Sequence, residues 1–239
     1  MVTERSSGRA KGAGAEGLLL VDKPAGVTSH DMVLAARTAY GERSIGHLGT
    51  LDPFATGLLL MLLGRATRLA NFIETEPKVY QATIRLGSET DTDDSTGAVV
   101  RSAPPPDKAA VLSAIESLTG DLMQVPPAYS AKSVDGTRAY DAARRGESLE
   151  LSAVPVKVHA WEIERQEDEC IRATITCGGG TYIRALARDL GRATGSAAHL
   201  ESLRRTRCGK FDVAEAASLA DLREAPPPLR KLSVVVTDA

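Results

Sequence analysis

The chain has 239 residues, 43% hydrophobic and 25% charged, and its 29 Lys and Arg are balanced by 31 Asp and Glu; it can bury one large core or two small ones, and its overall charge does not by itself draw a polyanion. The longest apolar run, residues 58–63, is far below the roughly 20 residues of a membrane-spanning helix, and residues 1–16, polar and rich in Gly, Ser and Ala, read as the disordered tail of a cytoplasmic protein rather than a secretory signal. Cys170, Cys177 and Cys208 form no CxxC pair and His30, His47, His159 and His199 lack the i, i+4 spacing of zinc ligands, which disfavours a disulfide framework and a metal mechanism.

Order is predicted to begin at Gly17, where GLLLVDKP reads as a short buried strand ended by Pro24 and Gly26. A helix follows. Thr28 and Asp31 have capping-box spacing, Met32, Val33, Ala36 and Tyr40 form an apolar face, and Gly41 is placed to end it. Residues 46–57, with three glycines, a proline and two threonines around Asp52, have loop chemistry, and the apolar run after them is a buried strand. In residues 79–86, Tyr80, Ala82, Ile84 and Leu86 alternate with polar side chains, the pattern of a half-buried strand.

The acidic turn GSETDTDDSTG has the look of a calcium loop from Asp91, but Thr96 stands at the glycine position and Ser102 at the closing glutamate position, so calcium is rejected. Asp107 is placed to cap a helix carrying Val111, Leu112, Ile115 and Leu118, and a second helix is predicted over residues 137–146. Strands are predicted over 155–163 and 170–177, followed by a helix near Thr181. Strands and helices mix without strict βα alternation, which favours an α+β fold with largely antiparallel pairing.

On that last helix Ile183, Leu186, Ala187 and Leu190 make a core face, while Arg184, Arg188 and Arg192 make a cationic stripe at i, i+4, i+8. With Arg204, Arg205, Arg207 and Lys210 downstream, residues 184–210 are the best local candidate for phosphate contacts; Arg138, Arg144 and Arg145 are a second. The alternative is a solvated charged face. Neither GxxxxGK[ST] nor GxGxxG spacing surrounds the glycines before Thr181, so a nucleotide cofactor is not indicated. Asp52 taken alone is equally an Asx-type turn former.

Six ordered segments resemble the TruB-type tRNA pseudouridine-55 synthases of bacteria: GLLLVDKPAGVTSHD, GHLGTLDPFATGLLL, YQATIRLGSETDTDDSTG, VPPAYSAKSVDGTRAYDAARRGE, CGGGTYIRALARDLG and HLESLRRTRCGKF. They span most of residues 17–211, and GHxGTLDPxATG is the most specific. The resemblance implies a pseudouridine synthase fold: α+β, with a mixed, largely antiparallel central sheet, flanking helices and a thumb-like RNA-binding insertion near 125–146. It implies isomerisation of the T-loop uridine at position 55, with no cofactor or metal, by a monomer acting on the tRNA T stem-loop away from any membrane.

By the same resemblance, Asp52 is the catalytic carboxylate, adding covalently to the sugar anomeric carbon or to the base. Arg184 pairs with it and keeps it ionised, and Tyr80 packs on the base and is a candidate for removing the proton from carbon 5. His47 fills space left by flipped bases, Tyr182 shapes the uracil pocket and Lys23 supports the loop. Arg138, Arg144 and Arg145 on the insertion, with Arg188 and Arg205, are expected to contact RNA.

Two departures stand out. Leu48 follows the motif histidine where many members have a smaller residue, and the chain ends within about 30 residues of the last motif, so no complete C-terminal PUA domain is expected. The alternatives are a tRNA-folding protein with little need for turnover and a guide-RNA-dependent ribosomal RNA enzyme.

Overall fold

A computed structural model of the chain describes residues 14–130, 133–134, 137–138, 151–167 and 169–231. The leucine-rich segments pair first. β1 (Gly17–Lys23) runs antiparallel to β3 (Thr56–Leu63), in register from Gly17↔Leu63 to Lys23↔Gly57. Both strands read as continuous apolar runs because both faces are covered: Leu18, Leu20, Leu58, Leu60 and Leu62 lie in one cluster, and Leu19, Val21, Leu59, Met61 and Leu63 in another. The second cluster takes Met32, Val33 and Ala36 from helix α1 (Ser29–Tyr40). That helix begins at a Thr28/Asp31 capping box and ends at Gly41, whose φ of 61° suits glycine.

β2 (Ile45–Leu48) pairs with β3, so the stretch predicted as loop from residue 46 is strand as far as Leu48. A glycine-rich sequence is drawn into the sheet by a partner distant in the chain. The loop around Asp52 is correspondingly shorter and tied to strands at both ends. The predicted tail also shortens: Ala15 packs against the α1 cluster, and Glu16 pairs with Arg65 at 2.7 Å.

β4 (Lys78–Leu86) buries Tyr80, Ala82, Ile84 and Leu86 as its alternation predicts. It lies between β11 (Cys170–Cys177) and β12 (Ala198–Cys208), antiparallel to both. With β7 (Gly120–Gln124), β10 (Val154–Glu167), β13 (Phe211–Asp212) and β14 (Ala217–Ser218) these strands complete a ten-stranded sheet, in which β14–β1–β3–β12–β4–β11–β10–β7 is the main order. The β1–β14 and β3–β12 pairs are parallel and the other pairs antiparallel, giving the mixed α+β architecture expected. A short hairpin of β5 (Ser88–Thr90) and β6 (Val99–Ser102) carries the acidic turn.

The β3–β12 contact joins the two halves of the sheet through Thr56↔Arg204 and Gly57↔Arg205. Gly57 has φ 104°, and a Cβ there would overlap the backbone carbonyl oxygen of Arg205, so the seam requires glycine.

Helix α2 (Lys108–Ser117) is capped by Asp107 and buries Val111, Ala114 and Ile115. Leu112, predicted on its core face, is 44% exposed, because the buried stripe runs through 111, 114 and 115. Helix α3 (Ile183–Ala193) lays Ile183, Leu186, Ala187 and Leu190 on the sheet, and α4 (Leu219–Glu224) packs near α1 with Leu222 buried. Where a helix was predicted from residue 137, Thr137–Arg138 (β9) pairs with Ser133–Val134 (β8) as a two-stranded ribbon. Residues 139–146 lie outside the described residues. No helix among the described residues is long and apolar enough to cross a membrane.

Candidate active site

Asp52 sits in the loop between β2 and β3, and its surroundings are fastened at several points. The Ser29 hydroxyl donates to the Leu51 carbonyl at 3.1 Å and accepts from the Leu51 N–H at 2.9 Å. Lys23 is fully buried, and its ammonium donates to the carbonyls of Pro24, Val27 and Pro53 at 2.9, 2.7 and 3.3 Å. Burial lowers its pKa to about 8. The Asp52 carbonyl closes a turn with the Ala55 N–H at 3.1 Å, which leaves the carboxylate free of the turn-forming role that an isolated Asp-Pro suggests.

The carboxylate is held by Arg184, the second residue of α3. Nε approaches Oδ2 at 3.0 Å and Nη2 donates to Oδ1 at 3.2 Å, the two-point fork that a guanidinium offers a carboxylate. Arg184 is 4% exposed. Its other donors reach the Thr92 carbonyl at 2.9 Å, the Tyr129 carbonyl at 2.8 Å and Asp94 Oδ2 at 3.5 Å. Thr92 and Thr96 donate to the other Asp94 oxygen at 2.5–2.9 Å, which orients Oδ2 toward the guanidinium. Burial pushes the Asp52 carboxyl above the ordinary aspartate range, and Arg184 pulls it back. Although 37% of the side chain remains accessible, that surface lines a cavity walled by protein.

The acidic turn left without a role by its failed calcium spacing supplies counter-charge to α3. Asp94 faces Arg184, Asp93 pairs with Arg188 at 2.8 Å, and Glu89 pairs with Arg192 at 2.5 Å. The stripe is therefore a ladder of carboxylate-paired arginines, internal at Arg184 and Arg188 and reaching the surface at Arg192, rather than a row of free cations. Arg188, expected to contact RNA, is 6% exposed and also donates to the Val125 carbonyl at 2.8 Å. Arg204 is engaged with both carboxylate oxygens of Asp22 at 3.0 and 2.7 Å. Arg205, also expected on the RNA surface, is 1% exposed and donates to the carbonyls of Leu58 and Gly49 at 2.7 and 2.8 Å. Leaving those partners would strand buried acceptors.

Tyr80 is opposite Arg205 in the β4–β12 register. Burial pushes its phenol up to about 12, while the neighbouring Arg205 cation and hydrogen bond pull it down. Tyr182 is fixed through its backbone: its N–H donates to Gln124 Oε1 at 2.9 Å and its carbonyl accepts from Gln124 Nε2 at 3.1 Å. Gln124, 2% exposed on β7, thus stands in for the side-chain cap that α3 lacks. His47 on β2 is half-buried. Burial, then Arg205 and His30, lower its pKa, and its Nδ1 has no hydrogen-bond partner among the described residues, so the ring is a neutral plate at physiological pH.

These groups converge on one cavity of about 670 Å³, lined by His47, Asp52, Tyr80, Tyr182, Arg184 and Arg205 and by Lys78, which sequence reasoning passed over. Lys23 supports the cavity wall from within. The side chains of Arg138, Arg144 and Arg145 lie outside the described residues. Asp93, Asp94, Gln124 and Ser29 were also missed as site residues. An acidic cluster facing three arginines of matching helical spacing was the one signal available for the first two.

Residues 37–183 match the family described as "TruB family pseudouridylate synthase (N terminal domain)", and residues 184–230 match "tRNA pseudouridylate synthase B C-terminal domain". Proteins named tRNA pseudouridine synthase B are similar over most of the chain. The one from Mycobacterium tuberculosis is 46% identical over 216 residues, covering 88% of this chain and 72% of its own length. That from Thermobifida fusca is 48% identical over 218 residues, covering 87% and 74%. Among solved structures, a Cbf5-Nop10-Gar1 complex contains a chain 27% identical with a TM-score of 0.67, over 87% of this chain and 54% of that one. An H/ACA RNP bound to a substrate RNA containing 2′-deoxyuridine gives 26% and 0.64, over 87% and 52%, so this chain spans about half of each solved chain. The matches cover both halves of the sheet, the Asp52 loop and α3, and the chain belongs to the TruB family of pseudouridylate synthases.

Proposed function

We propose that the protein isomerises the T-loop uridine at position 55 of tRNA to pseudouridine, with Asp52 as nucleophile and without a guide RNA. One observation carries the reading: the two-point Asp52–Arg184 pair at a cavity that Tyr80 and Tyr182 also line. Relatives at 46–48% identity bear the name of the tRNA enzyme, which favours it over the guide-dependent reading suggested by solved structures at 26–27%.

In the reaction the N1–C1′ bond breaks, a C5–C1′ bond forms, the proton on C5 leaves and N1 gains one. Asp52 adds to C1′ or to the base while uracil turns, then departs. Arg184 fixes both carboxylate oxygens so that attack starts from one orientation. Tyr80 lies against the base, and Arg205 is the cation beside its phenol that favours handing on its proton when the C5 proton is taken. Neutral His47 fills the space left in the RNA loop by the flipped nucleotide. Arg188 and Lys23 act inside the protein, holding the segment after β7 and the Asp52 loop.

The test is to incubate the full chain with an unmodified tRNA transcript, with no guide RNA and with a chelator, and to map pseudouridine. Pseudouridine at the T-loop uridine is the expected product. Modification only after a guide RNA is added would overturn the reading in favour of the guide-dependent class.

A further inference from the structure

Among the described residues, three Lys and Arg side chains line the cavity: Lys78, Arg184 and Arg205. The two arginines have carbonyl or carboxylate partners for their forks. Lys78 is different. It is half-buried at the start of β4, on the same side of the strand as Tyr80 by the two-residue period. It makes no hydrogen bond or ion pair among the described residues.

Its Nζ is positioned by two glycine turns. A Cβ on Gly49, in the Asp52 loop, would lie 3.8 Å from Nζ, and a Cβ on Gly179, ahead of α3, would lie 3.7 Å from it. A side chain at Gly49 would press first on Arg205 Nη1 and one at Gly179 on Glu76, with the ammonium at contact distance from both. Glu76 approaches Gly179 as well, yet it forms no ion pair with Lys78 among the described residues. Glu76 and Gly179 line a second cavity of about 520 Å³, so Lys78, which lines the Asp52 cavity and neighbours Gly179, lies on the border of the two.

We infer that Lys78 binds a phosphodiester next to the nucleotide held in the Asp52 cavity and is the cation through which this cavity grips the RNA backbone. The inference rests on the functional reading above. An ammonium on the cavity wall with no ion pair among the described residues can neutralise one phosphate and release its counterion, and each such contact adds about 0.7 to 0.9 to the slope of log affinity against log salt.

The experiment measures binding and turnover of a T-arm stem-loop RNA by wild type, Lys78→Met and Lys78→Arg across a salt series. Wild-type turnover is read first: no pseudouridine at the T-loop uridine means that the functional reading has failed, independently of Lys78. With turnover established, Lys78→Met is expected to weaken binding about threefold to tenfold near 0.1 M salt, to lower the salt slope by about 0.7 to 0.9 and to act on KM more than on kcat. Lys78→Arg restores the slope. A neutral methylphosphonate at the phosphate beside the target uridine should weaken wild type but add no further loss to Lys78→Met. An unchanged salt slope in Lys78→Met, or additive losses from the two changes, overturns the assignment. If Lys78→Met does not fold, Lys78→Gln replaces it and the same two readouts decide.

Discussion

Arg184 holds Asp52 through both carboxylate oxygens, at 3.0 and 3.2 Å, and with the rest of the same guanidinium holds the carbonyls of Thr92 and Tyr129. One buried side chain thus ties the Asp52 loop to the acidic turn and to the segment that leads into the insertion. Its removal disturbs three segments at once.

The acid limb of kcat/KM should report Asp52 and lie above the range of an ordinary aspartate, because burial outweighs the pull of Arg184. Arg184→Lys loses the fork, so the limb should move further up and kcat/KM should fall by about 100-fold or more. Since the folded pKa is raised, the proton-linked stability is present at low pH and is lost as pH rises through that pKa. Asp52→Asn should accordingly melt at or above the wild-type temperature at neutral pH. A limb that moves down in Arg184→Lys would contradict the assignment.

Gln124→Leu removes both bonds to the Tyr182 backbone, two residues before Arg184. We expect a loss of about 2 kcal/mol in chemical denaturation and a fall in kcat larger than the rise in KM. An equal loss of stability with kcat intact would make Gln124 structural alone.

Arg188→Met leaves Asp93 buried without its cation and should cost about 3–5 kcal/mol. Asp93 has φ 59°, a conformation that Asn tolerates and Val resists, so Asp93→Asn should be much milder than Asp93→Val. Burial raises the Asp93 carboxyl to about 6. The folded state therefore binds its proton more tightly than the unfolded state, and this stability falls as pH rises from the ordinary value of 3.8 through about 6. Melting across that window should show the fall in wild type and a flatter profile in Asp93→Asn.

Gly57→Ala places a methyl group on the Arg205 carbonyl at a positive φ. It should destabilise by about 3 kcal/mol or more, or abolish soluble folding, whereas Gly46→Ala, with open space around its Cβ position, should be tolerated. Circular-dichroism melting of the two variants separates these outcomes.

Local signals in the sequence carried the elements that local physics decides. The Thr28–Asp31 cap, the Gly41 stop and the β4 alternation all sit where the pattern places them. The misses share a cause, which is partners far along the chain. β2 is strand because β3 pairs with it, and Leu112 is exposed because the sheet takes a neighbouring stripe of α2. The arginines of α3 looked like a nucleic-acid face because their carboxylates lie about ninety residues earlier. The Asp52, Arg184 and Tyr80 grouping was legible only through the resemblance of whole motifs, and no local pattern marked Gln124 or Lys78.

The most direct test is to compare wild type with Asp52→Asn on an unmodified tRNA transcript, following pseudouridine at the T-loop uridine and RNA affinity in the same preparation. The account predicts that Asp52→Asn binds tRNA within about threefold of wild type, a change below 1 kcal/mol, and forms no pseudouridine above background. Pseudouridine formed by Asp52→Asn at the wild-type rate would contradict it.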